Sequence, residues 1–128
     1  MTYIWTSAVI LRSDVRRDKK RTYIYGDNCV KRGMGGMARE MRGEVNAVGV
    51  PTKWAPRMDD AAFFSDDDET GLPQDLMEAA ICEAESRGLP IVIPTGIGRG
   101  RAKMPEKCPK LYEWMCKRLH KDETRHNV

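Results

Sequence analysis

Two short segments concentrate the residues whose types and spacing could do chemistry. The first runs from Gly26-Asp27-Asn28 through Gly33-Met34-Gly35-Gly36, and the second is Thr95-Gly96-Ile97-Gly98-Arg99-Gly100-Arg101. Glycines let backbone N–H groups come close to a ligand, and a helix opening behind the first segment adds positive potential there. An anion such as a diphosphate is the natural guest. In the second segment Arg99 and Arg101 are available as charge partners for the same group. Glycine after a strand often only turns the chain, so one such loop says little. Two of them at the carboxyl ends of strands mark the edge at which open α/β sheets bind ligands. The pattern is neither G-x-x-x-x-G-K-[ST] nor G-x-G-x-x-G, which argues against a P-loop NTPase and an ordinary dinucleotide fold.

Other residues carry chemistry with a bland alternative beside it. Asp27 is the candidate catalytic carboxylate, able to orient a ribose or a water, or else to cap the turn next to Asn28. Thr52 and Lys53 close a strand and would face the same edge, where Lys53 could meet a phosphate or simply stand exposed. Asp66-Asp67-Asp68-Glu69 offers oxygen donors to a hard cation without the spacing of an EF-hand, and a solvated acidic turn is the simpler reading. Trp54, Phe63 and Phe64 could stack on a base or anchor a long loop to the core. Cys29, Cys82, Cys108 and Cys116 contain no C-x-x-C and the histidines are His120 and His126, so free thiols are expected and no metal site or cofactor. Cys29 as a nucleophile lacks a histidine nearby in sequence.

The elements that would position these residues follow from hydrophobic patterning. Tyr3 to Leu11 reads as a strand, Arg12 to Arg21 as a charged connection, and Thr22 to Tyr25 as a second strand. Met34, Met37, Ala38 and Met41 make one buried helical stripe that Gly43 can end. Asn46 to Val50, closed by Pro51-Thr52-Lys53, is a third strand, and Trp54 to Thr70 a long loop. Pro73 opens a helix with Met77, Ala80, Ile81 and Ala84 on one face, closed by Gly88. Leu89 to Pro94 is a central parallel strand, and Lys110 to Lys121 a last helix with Leu111, Trp114, Met115 and Leu119 together. The tail 122–128 is expected to fray. Strands alternating with helices give an α/β fold, a single three-layer domain with a mainly parallel sheet.

The chain of 128 residues, 41% hydrophobic, suits one domain core. Its longest apolar runs fall far short of the roughly 20 residues of a membrane span, and MTYIWTS lacks the basic start of a secretion signal, so a cytoplasmic protein is expected. The net charge of +3 is segregated. Arg12 to Arg21 is basic, Asp59 to Glu85 acidic without a basic residue, and Arg99 to Lys121 basic again. Solvated faces explain such runs. Flanks of an anion site would do so too, and so would a nucleic-acid partner, which stands as the alternative function.

The motifs Tyr25-Gly-Asp-Asn28, Gly35-Gly36-Met37-Ala38, Val48-Gly-Val-Pro-Thr-Lys53 and Ile93-Pro-Thr-Gly-Ile-Gly98 together resemble small phage and bacterial proteins related to macro domains. The likeness follows the order of elements over residues 22 to 120. It implies a macro domain-like module that binds ADP-ribose or a related linear or cyclic nucleotide in the cytoplasm of a phage host or bacterium, and in some members hydrolysis of an ADP-ribosyl linkage. By position, Asn28 would face the distal ribose. Gly33, Gly35 and Gly36 would line that ribose and the diphosphate, and Thr95 to Gly100 would form the second phosphate loop. Arg99 and Arg101 depart from the family pattern by adding charge.

Overall fold

A computed structural model describes residues 1–33 and 35–123. Met34, the expected start of one apolar stripe, and residues 124–128 of the expected frayed tail lie outside the described residues. The strands are β1 (Tyr3–Thr6), β2 (Thr22–Asn28), β3 (Ala47–Lys53) and β4 (Ile91–Pro94). The α-helices are α1 (Arg12–Arg17), α2 (Ala38–Met41), α3 (Leu72–Ser86), α4 (Met104–Lys107) and α5 (Pro109–Arg118). The strands form one four-stranded sheet in the order β1-β4-β2-β3, and every pairing is parallel.

Alternation along the strands divides the apolar side chains between two cores. On one face Trp5, Ile24, Val50 and Ile93 pack with Met77, Ile81 and Ala84 of α3 and with Met115 of α5. On the other, Tyr23, Tyr25 and Val92 pack with Val15 of α1 and with Ala38 and Met41 of α2. Helices therefore cover both faces of an α/β sheet. α3 is fastened to α5 by Arg118, whose guanidinium donates to Glu78 (2.7 and 2.8 Å) and Glu85 (2.8 and 2.9 Å). The Trp5 indole adds a bond to the Leu119 carbonyl at 2.9 Å.

Several boundaries differ from the sequence expectation for identifiable reasons. β1 stops at Thr6, because Ala8 and Val9 stand exposed rather than pairing. The charged connection contains α1, a helix invisible to periodicity because Val15 alone is buried in it; the Asp14 carboxylate accepts from the Leu11 N–H at 2.9 Å to start it. Gly33 and Gly36 adopt φ of +101° and +61°, conformations that a right-handed helix cannot contain, so α2 begins only after them. β3 continues through Pro51 to Lys53, which a proline permits because β3 lies at the sheet edge. The sequence pattern does not predict α4, which precedes α5 and buries Met104. Among the described residues no helix is long and apolar enough to cross a membrane.

Candidate functional site

β2 and β4 pair only at Thr22–Ile91 and Tyr23–Val92. Beyond that point the strands part, and the chain after β2 turns toward α2 on one face while the chain after β4 leads to α5 on the other. This is the topological switch point of a parallel sheet, where a crevice opens at the carboxyl ends of the strands. A cleft of ≈ 280 Å³ occupies it. Ile97, fully buried, packs behind the wall formed by Gly26: a Cβ on Gly26 would stand 3.6 Å from the Ile97 Cγ1.

The cleft brings together most of the residues singled out in the sequence. Asp27, Asn28, Gly33, Gly35, Gly36, Thr52 and Lys53 line it from β2, β3 and the first loop, and Gly96, Gly98, Arg99, Gly100 and Arg101 from the second. Thr95 and Ile97 do not. Ile97 belongs to the core, and Thr95 lines a second, more apolar chamber of ≈ 330 Å³ with Ile10, Leu11, Met41 and Pro94. Gly36, Met37 and Gly96 belong to both walls, so the chambers adjoin.

Asp27 is not free to act on a water. Its carboxylate takes Nε of Arg42 at 3.0 Å, a second contact from Arg42 Nη2, and the Asn28 N–H at 2.8 Å. Arg42 reaches on to the carbonyls of Gly33 (2.8 Å) and Arg32 (3.2 Å), and the pairing with Asp27 raises its pKa. Asn28 donates its side-chain N–H to the Arg32 carbonyl at 2.6 Å. Both side chains therefore shape the first loop rather than standing open to a ligand. Thr52, skipped in the β2–β3 register, gives its hydroxyl to the Asp27 carbonyl at 3.2 Å.

Lys53 is buried, not an exposed strand end. Its ammonium donates to the carbonyls of Arg57 (2.6 Å) and Arg101 (3.3 Å) and lies 4.6 Å from the centre of the Phe63 ring. Burial lowers its pKa, and Arg101 lowers it further. Lys53 thus ties the loop after β3 to the second glycine loop. The glycines differ in what they do. At Gly98, φ +77°, a Cβ would meet the Met104 Sδ at 2.8 Å, so this glycine serves core packing while its backbone faces the cleft. Gly35 allows the Arg101 side chain to cross it, with Cδ 3.2 Å from a would-be Cβ.

The remaining candidates have structural roles. Asp66 accepts from the N–H groups of Lys110 and Leu111 at 2.9 and 3.1 Å, capping α5 from outside, and Asp68 accepts from the Thr70 N–H at 2.9 Å. Phe63 and Phe64 are buried, and Trp54 meets Phe64 edge-on at 4.9 Å. The cysteines are free thiols; burial and Asp27 push Cys29 upward, the reverse of an activated nucleophile. In the basic segments Arg12 and Arg16 bind Glu44, Arg21 binds Asp18, and Arg118 is held by α3.

Sequence reasoning missed Arg32 and Arg42. Arg32 lies inside the first glycine segment, and that position is its signal in the sequence. Arg42 lies fifteen positions from Asp27, and nothing local links them.

Fold and site define an α/β protein with a glycine-walled, cationic cleft at a sheet switch point. Residues 5–118 match a family described as "Family of unknown function (DUF7831)", and the chain belongs to that family. No curated protein and no solved structure matches the chain.

Proposed function

We propose that this protein is a macro domain-like module that binds an ADP-ribose-like or cyclic nucleotide. Phosphates would lie against the glycine loops, and the base in the adjoining apolar chamber. The observation that carries the reading is the convergence of both glycine loops on one cleft where β2 and β4 part, with Arg32, Arg99 and Arg101 in its wall and in no ion pair among the described residues. The macro domain likeness of the motifs in these loops supports the same class of ligand.

Binding without turnover is the favoured form. Asp27 is the carboxylate lining the phosphate chamber, and Arg42 occupies it. Nucleic-acid binding through the basic segments draws less support, since Arg12, Arg16, Arg21 and Arg118 already serve carboxylates.

Calorimetry with ADP-ribose, its cyclic isomers and small nucleotides tests the proposal. Saturable heat from at least one is expected; no heat from any of them contradicts it.

A further inference from the structure

The cleft holds more positive charge than a bridging diphosphate would neutralise. Arg42 is matched by Asp27, which leaves Arg32, Lys53, Arg99 and Arg101, none of them hydrogen-bonded to a carboxylate among the described residues. A diphosphate between two sugars carries one charge per phosphorus, and an added phosphomonoester contributes about 1.5 to 2 more.

Two of these cations are stationed by the fold. The Arg101 side chain crosses Gly35, which places it between the two glycine loops, and Lys53 holds the Arg101 carbonyl from beneath. Arg99 stands at the start of the turn Gly100–Ala102, in the same wall. A planar guanidinium with free N–H groups beside glycine amides is a receptor for phosphoryl oxygens, which it can bind in two-point fashion. Repulsion at Lys53 is relieved only in part from within the protein: Arg101, Lys103 and Arg57 bear on it, and Asp59 opposes them. A polyanion would relieve it.

We infer that the cleft selects a nucleotide bearing a phosphoryl group beyond the diphosphate, and that Arg99 and Arg101 read that group. The shared chemistry is a phosphomonoester near a diphosphate, supplied either by a triphosphate chain or by a phosphorylated ribose. This rests on the nucleotide reading above.

The test is calorimetry in EDTA at about 0.15 M salt, where exposed charges are largely screened beyond about 8 Å. Two pairs are compared, ADP with ATP and ADP-ribose with its 2′-phosphate. In at least one pair the added phosphoryl group is expected to tighten binding about tenfold or more, the yield of a charge-assisted contact. A gain confined to ATP assigns the chain terminus, and a gain confined to the 2′-phosphate assigns the ribose. Arg99→Gln and Arg101→Gln together should weaken both members of a pair but the more highly phosphorylated one far more, returning the ratio to about one while the melting temperature holds. Parent compounds that bind without any gain, or a gain that survives both substitutions, would overturn this inference and leave the nucleotide reading intact. Silence from every compound would remove both.

Discussion

Asp27 and Arg42 form a two-point ion pair at the side of the cleft, joining the end of β2 to the residue that ends α2. Arg42 uses its remaining donors on the carbonyls of Gly33 and Arg32, so the pair sets the path of the first glycine loop. Asp27→Asn should therefore cost about 2 to 3 kcal/mol of stability, below the roughly 3 to 5 kcal/mol of a fully buried pair that loses one member because Arg42 is partly exposed. Arg42→Met should cost a similar amount, with the two losses failing to add. Chemical denaturation of both variants and of the double variant measures this. If Asp27→Asn were as stable as the parent yet lost turnover of an ADP-ribosyl linkage, Asp27 would be a catalytic group instead.

Glycines at the cleft should separate into site and scaffold. Gly36 holds φ +61° with open space around it, so Gly36→Val is expected to strain the backbone by about 1 to 2 kcal/mol. Gly96 is not in that conformation, and a Cβ there meets only the Met37 Cε at 3.8 Å. Gly96→Val should keep the melting temperature and still lower nucleotide affinity, because it narrows the passage between the chambers. Unchanged affinity in a folded Gly96→Val protein would take the second loop out of the site.

Acid should unfold the protein through Glu44 and Glu78. Arg16 and Arg12 hold the Glu44 carboxyl at about 2, and Arg118 holds Glu78 at about 2, against an ordinary 4.5 for both. Between those values the unfolded chain binds more protons than the folded one, so stability falls as pH falls. The contribution is whole above pH 4.5 and is lost on the way down to about 2. A melting temperature that is level above pH 5 and drops below it is expected, with a shallower drop in Glu78→Gln, which also starts lower at neutral pH. An equal drop in that variant would assign the acid sensitivity elsewhere.

Much of the architecture is legible in the sequence because burial and periodicity coincide. Ile91-Val92-Ile93 is buried on both faces and reads as a continuous apolar run, and the stripe of Met77, Ile81 and Ala84 repeats at the helical period. α1 and α4 are not legible: each is too short to show a period and buries one side chain, Val15 or Met104. At the site, glycine punctuation after strands marks both loops. What Asp27, Asn28 and Lys53 do there is not legible, since their partners Arg42, Arg32 and Arg101 are set by tertiary packing.

The central claim, that ligand phosphate lies against the backbone of both glycine loops, is tested most directly by nitrogen-15 NMR during titration with ADP-ribose. The amides of Gly35, Gly36, Gly96 and Gly98 are expected to shift together and saturably, while those of Arg12 to Arg21 stay in place. Shifts confined to the Arg12 to Arg21 face, or none at the four glycines with ligand in excess, would contradict the account.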